Sequence, residues 1–181
     1  MPIEPMTFDR SPPLRICVVG ISDAGGTLEP VTELDLQHGE RSHRFASLLP
    51  GEQALIYTVA FDGINSYDDA RIDLWDLKSR RKKILFVGGT SATYSPSGHI
   101  VYARAGKLMA VPFDASRRQI TGTPFEALNG LLMSSNTGAA QFSLSRRGDL
   151  AYVPGSSDPE QSRPYCTRAR PACAHSSTTV R

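Results

Sequence analysis

Tyr94-Ser95-Pro96-Ser97-Gly98-His99-Ile100-Val101-Tyr102-Ala103-Arg104-Ala105-Gly106-Lys107-Leu108-Met109-Ala110-Val111-Pro112-Phe113 is the stretch that decides the fold class of this chain. It reads as strand, turn, strand, turn, strand. Ser95 to Gly98 and Arg104 to Lys107 are turn-forming, and the runs beside them are short and rich in β-branched or aromatic residues. The same texture returns in Arg15–Val19, Ala54–Val59, Ile72–Leu77 and Lys83–Val87. Within Ile72–Leu77, Ile72 and Leu74 share one strand face while Trp75 and Leu77 share the other. Apolar residues on both faces predict a strand held between two neighbouring sheets. No window keeps helical periodicity over three turns; the best candidate, Phe125 to Met133, is interrupted by Asn129-Gly130. The chain reads as all-β.

Working outward, the same plan occurs three times. An approach, a turn and a tyrosine-bearing strand follow one another at Phe45–Gly51 with Tyr57, at Tyr94–Gly98 with Tyr102, and at Phe142–Gly148 with Tyr152. The tyrosines stand 45 and 50 residues apart, within the roughly 40–50-residue spacing of four-stranded antiparallel propeller blades. This predicts separate sheets centred near Tyr57, Tyr102 and Tyr152, stacked face to face around Trp75, Tyr94 and Phe142. Leu14–Val19 and Thr27–Leu34 look like the last two strands of an earlier blade, and the third copy stops after its second strand. The reading is an irregular segment over 1–13, a partial β-propeller of about three blades (an incomplete ring) over 14–155, and a tail over 156–181. That tail is rich in Ser, Pro, Arg, Thr and Ala, with almost no large aliphatic residue. It cannot offset an ordering entropy of about 1–2 kcal/mol per residue, so it is expected to be disordered.

Composition excludes several classes. Twenty basic and 18 acidic residues leave a net charge of +2 over 181 residues, so no global field calls for a nucleic acid. Pro2, Glu4, Pro5, Asp9, Arg10, Pro12 and Pro13 break the first residues, so no signal peptide is expected, and no run approaches a membrane span. Cys17, Cys166 and Cys173 are an odd count, too scattered for a disulfide framework.

A family resemblance rests on the stretches Ala24–Thr32, Ser42–Phe45 with Leu49-Pro50-Gly51, Asp68–Ile72, Gly88–Tyr102, Gly106–Asp114, and Phe142–Ser145 with Gly148. With these the chain resembles the TolB-type, WD-repeat-like β-propellers, particularly those fused behind the kinase domain of bacterial receptor-type serine/threonine kinases. The resemblance runs from about Leu14 to Gly155 and is most specific over Tyr94–Asp114. It implies a binding or sensor role and a ring of about six blades, twice the number read here. Similar propellers also gate prolyl-oligopeptidase-type serine peptidases. That is the alternative role, beside a truncated product with no function.

His43-Arg44-Phe45 lacks the Asp of a kinase catalytic loop, and Phe61-Asp62-Gly63 has the metal-motif letters out of order. There is no Gly-x-Ser-x-Gly elbow, and His38, His43, His99 and His175 have no evident Ser and Asp partners, so His43 reads as a hydrogen-bonded packing residue. Gly88-Gly89-Thr90-Ser91 precedes a strand, so it reads as an inter-blade turn and not as a phosphate cradle. Asp62, Asn65, Asp68 and Asp69 lack the calcium-loop spacing and read as loop carboxylates. Lys78, Arg80, Arg81, Lys82 and Lys83 read as a solvated hairpin turn. Cys166, Cys173 and His175 are too few and too far apart for zinc. Trp75 and Tyr67 read as core aromatics rather than ligand-stacking groups. No catalytic, cofactor-binding or metal-binding residue is assigned, and the expected partner is a protein or small ligand.

Self-association is also expected. Ile16 and Val18 at one end and Phe142, Leu144 and Leu150 at the other are apolar and lack a neighbouring blade, and two copies end to end would hold about six blades. Limited proteolysis should remove the tail first, at Arg163, Arg168 or Arg170; earlier cleavage between Tyr94 and Phe113 would contradict an exposed, unstructured tail.

Overall fold

The computed structural model describes residues 15–155; the expectations for 1–13, for the tail and for its cysteines and His175 lie outside the described residues. Among these residues thirteen strands fall into four separate antiparallel sheets. β1 (Val19–Gly20) pairs with β2 (Glu29–Pro30). β3 (Glu40–Leu48), β4 (Ala54–Phe61), β5 (Arg71–Asp76) and β6 (Arg81–Val87) form a meander, the first full blade. β7 (Thr90–Ser95), β8 (His99–Arg104) and β9 (Lys107–Asp114) begin the second. Its fourth position is shared by β10 (Gln119–Ile120) and β11 (Phe125–Asn129), both paired with β9. β12 (Phe142–Leu144) and β13 (Leu150–Tyr152) form a lone hairpin.

Strand period 2 explains how the sheets stack. Ile56, Ile72 and Leu74 leave the first blade on one face and meet Ile100, Tyr102, Val111 and Phe113 of the second, with Tyr94 against them. Val101, Leu108 and Ala110 leave the opposite face of the second blade and meet Phe142, Leu144, Leu150 and Tyr152. Leu55, Tyr57, Val59 and Trp75 leave the opposite face of the first blade and meet Val18 and Val31. Each repeated tyrosine therefore points at the unit that precedes it in the chain. Trp75, Tyr94 and Phe142 lie in the three successive interfaces, as the repeat predicts.

The first two copies share a local irregularity as well. β3 bulges between Arg44 and Ser47, opposite Tyr57, and β7 bulges between Thr90 and Thr93, opposite Tyr102. A positive φ marks each bulge: 53° at Phe45 and 54° at Ser91. A bulge gives two residues room against one, which suits the bulk of the opposing ring.

Phe125–Asn129, part of the stretch whose helical periodicity Asn129-Gly130 interrupts, is strand β11, for which β9 offers a hydrogen-bonding edge. Two expectations are corrected by the structure. The N-terminal pair of strands is two residues long on each side, much shorter than 14–19 and 27–34. The apolar residues thought to be uncovered at the ends are packed: Val18 on the first blade, and Phe142, Leu144 and Leu150 on the second. The exposed ones are Val19, Ile21 and Leu28 at one end and Phe125 and Val153 at the other. In a strand, a one-residue shift moves a side chain to the other face.

Gly89 is the sharpest local requirement. Its φ is +138°, and a Cβ there would lie 2.5 Å from the Tyr102 ring. Gly98 also has positive φ, +81°, but opens onto free space. Gly98→Ala should cost about 1–2 kcal/mol from backbone strain alone. Gly89→Ala adds overpacking of about 1–3 kcal/mol. Denaturant midpoints check this ranking, and equal losses would contradict it.

Candidate functional site

Because each blade is an antiparallel meander, the loops β2–β3, β4–β5, β6–β7, β8–β9 and β11–β12 gather at one end of the molecule. They bind one another there. The Gly88 amide donates to Ala70 O (2.8 Å) and the Tyr67 amide to Ser135 O (2.9 Å). The Thr90 and Ser91 hydroxyls both donate to Gly138 O, at 3.0 and 2.9 Å. Gly88-Gly89-Thr90-Ser91 is thus an inter-blade turn that opens β7. Asp68 is spent structurally: one carboxylate oxygen accepts from the Ala105 amide (2.7 Å), the other from the Ser66 hydroxyl (3.0 Å). Among the described residues no three His, Cys, Asp or Glu side chains are placed to share a metal. Tyr67 is buried, with the Arg44 guanidinium 5.6 Å from its ring centre.

A buried charged cluster lies where the first blade meets the N-terminal strands. Glu40 Oε1 accepts from Arg71 Nη2 (2.6 Å) and Lys82 Nζ (2.8 Å). Its Oε2 accepts from the Asp35 amide (2.8 Å) and His43 Nε2 (3.1 Å). Arg71 also grips Asp73 with both arms, at 2.7 and 2.6 Å. With Nε2 donating, His43 Nδ1 accepts from the Thr32 hydroxyl (2.8 Å), whose oxygen in turn accepts from the Val18 amide (3.0 Å).

The titration of these groups follows from that geometry. Burial pushes the Glu40 carboxyl up, but donors from Lys82, Asp35, His43 and Arg71 outweigh it and hold the pKa at about 2. Burial lowers His43 from its ordinary value despite Glu40 beside it, so the ring is neutral in the fold. Burial raises Asp73, with Arg71 opposing. Burial also raises Tyr57, whose hydroxyl has no hydrogen-bond partner among the described residues. His43 is therefore a packing residue in a satisfied network.

Two further histidines lie among the described residues: His38 bonds exposed to Asp35 (2.8 Å), and His99 stands edge-on to Phe125 at 5.7 Å. Trp75 sits in the core against the N-terminal strands. The basic run is only partly a solvated turn. Lys78 and Arg80 are in the turn, but Lys82 reaches Glu40 and Lys83 donates to the Arg118 carbonyl (2.8 Å). Arg118 itself pairs with Asp76. The Glu40–Arg71–Asp73 cluster escaped the sequence reading; its signal was an acidic residue at the core-facing position between Ile72 and Leu74.

A second feature runs along the innermost strands. Segments 45–47, 91–93 and 142–144, from β3, β7 and β12, line a groove of about 330 Å³. Ser47 and Thr93 bond across it at 3.0 Å. Its walls carry Phe45, Phe142, Ser91 and Ser143 beside alanines, with no titratable side chain.

The calcium-binding protein regucalcin of Agrobacterium tumefaciens is similar with a TM-score of 0.55 and 17% identity, over 76% of this chain and 47% of regucalcin. The chain is part of a β-propeller. TolB of Acinetobacter baumannii gives a TM-score of 0.49 and 19% identity, over 72% of this chain and 30% of TolB. The propeller chain thus spans about half of regucalcin and under a third of TolB. No protein-family model and no curated protein sequence matches it.

Glu40 makes stability acid-sensitive. Its folded pKa of about 2 lies below the ordinary 4.5, so its contribution is full above pH 4.5 and is lost as pH falls toward 2. His43, depressed below 6.5, acts in the same direction, because the unfolded ring takes up a proton first. Raised Asp73 opposes both. Glu40→Gln should cost about 3–5 kcal/mol at pH 7, since it strips a buried partner from Lys82 and Arg71, and it should flatten the acid slope between pH 4.5 and 2. Thermal melts across pH check this; an unchanged slope would contradict it.

Proposed function

We propose that this chain is a non-catalytic propeller module that binds an uncharged protein segment or small ligand along its innermost strands, as the sensor portion of a signalling protein. The observation that carries the reading is the character of the groove at 45–47, 91–93 and 142–144. Hydroxyl and apolar groups lie side by side there on rigid strands, whereas the buried charges are committed to one another elsewhere. Rigid blades that present an exposed Ser143 beside half-buried Phe45 and Phe142 suit recognition, since hydroxyls orient a ligand and aromatic edges supply area. Support for the signalling context is the resemblance of Gly88–Tyr102 and Gly106–Asp114 to propellers carried behind kinase domains.

Two measurements test it. Short Ser-, Ala- and Phe-rich peptides titrated into the labelled full chain should shift the backbone amides of Ser47, Ser91, Thr93 and Ser143. Ser143→Arg, at an exposed position, should abolish the shifts without altering the melting temperature. Shifts confined to other surfaces, or turnover of an ester or peptide substrate by the purified chain, would overturn the reading. For the context, a kinase domain encoded in the same reading frame supports it, and a hydrolase domain there overturns it.

A further inference from the structure

An antiparallel meander sends alternate connections to opposite ends of the molecule, and the charges divide between those ends. The connections 31–39, 62–70, 88–89, 105–106 and 130–141 lie at the end where the loops bind one another. They hold five carboxylates (Glu33, Asp35, Asp62, Asp68 and Asp69) and no Lys or Arg. The opposite end is formed by the turns 21–28, 49–53, 77–80, 96–98, 115–118 and 145–149. These hold six cations (Lys78, Arg80, Arg117, Arg118, Arg146 and Arg147) against three carboxylates, Asp23, Glu52 and Asp149. The net charge of +2 for the whole chain conceals this polarity.

The basic turns are held as a face. Lys83 Nζ donates to the Arg118 carbonyl (2.8 Å) and Arg118 pairs with Asp76, which draws turn 77–80 of the first blade against turn 115–118 of the second. Arg118 is thereby spent, but Lys78, Arg80, Arg146 and Arg147 are exposed. Arg117 reaches Asp114 only at 3.7 Å, with 78% of its side chain in solvent.

The spread of these cations says what kind of anion they suit. The grooves at this end take one each: Arg80 borders the first, Arg118 the second and Arg147 the third. The charges therefore stand apart on turn tips across successive units and do not converge on one small anion. None of the six turns contains Phe, Tyr or Trp, the side chains on which single-stranded nucleic acid stacks. Long cationic side chains on separate tips match a broad anionic plane. We propose that this end of the propeller seats on an anionic lipid surface, with the acidic end directed away from it. Each Lys or Arg close to such a surface is attracted within a screening length of about 8–10 Å. The carboxylates of the other end are repelled by the same field, which fixes one orientation.

Flotation of the full chain with vesicles tests this. Vesicles of phosphatidylcholine with about one-third phosphatidylserine should carry the chain at low salt, and about 0.5 M salt should release it. Phosphatidylcholine alone should not carry it. Lys78→Gln with Arg80→Gln, and Arg146→Gln with Arg147→Gln, should each weaken binding about 25-fold, at about fivefold per cation. Melting temperatures should be unchanged, because all four side chains are exposed. Arg104→Gln, an exposed position at the acidic end, should leave vesicle binding as it is. Peptide-induced shifts at 45–47, 91–93 and 142–144 should persist in the variant lacking all four cations, so this proposal and the ligand groove fail separately. Failure to float with anionic vesicles at low salt would overturn the proposal, as would equal flotation with neutral ones. So would a loss with Arg104→Gln as large as with a single turn substitution, or tighter capture by a competing acidic peptide or oligonucleotide.

Discussion

Glu40 stands at the start of an innermost strand with its side chain 1% exposed, and a carboxylate removed from water has to be surrounded by donors. Each donor comes from a different place in the chain. Lys82 brings the fourth strand of the blade, Arg71 the third, His43 the first, and the Asp35 amide the segment leading in. Through His43 the demand passes to Thr32 and then to the Val18 amide. One buried charge thereby pins the N-terminal strands to the first blade, where they contribute only two residues of ladder each. A pair of strands that short has little hold of its own; the charged cluster and the apolar contact with Trp75 keep it in place.

Elsewhere cohesion is apolar and follows from alternation. A strand between two sheets sends odd residues one way and even residues the other, so β8 supplies Ile100 and Tyr102 to one interface and Val101 and Ala103 to the next. Polar side chains are then left to the loops and to the inner edges. This division separates the parts that hold the blades from the parts able to meet a ligand, and a binding surface built on the inner strands changes without disturbing the stack.

Much of this was legible in the sequence because it depends on period and spacing. Ile72 with Leu74 and Trp75 with Leu77 announced a strand with two apolar faces, and the tyrosine spacing announced separate sheets. Gly88-Gly89 was legible as a turn, though the clash with Tyr102 that demands glycine there was not. What the sequence concealed depends on partners distant in the chain. Lys82 looks like any turn lysine until Glu40, 42 residues earlier, is folded against it. The strand at Phe125–Asn129 is specified by the free edge of β9 more than by its own residues. The exposed faces at the two ends hinge on a one-residue difference between Val18 and Val19, which no hydropathy pattern over so short a strand resolves.

The direction of the repeated tyrosines has a consequence for how the chain is made. Tyr57, Tyr102 and Tyr152 each pack backward, onto a face formed by residues nearer the N-terminus. On the ribosome, the surface that receives Tyr102, made by Ile56, Ile72 and Leu74, has wholly emerged before Tyr102 itself. Each unit thus meets a surface that precedes it in the chain, an arrangement that lets blades dock one at a time in the order of translation.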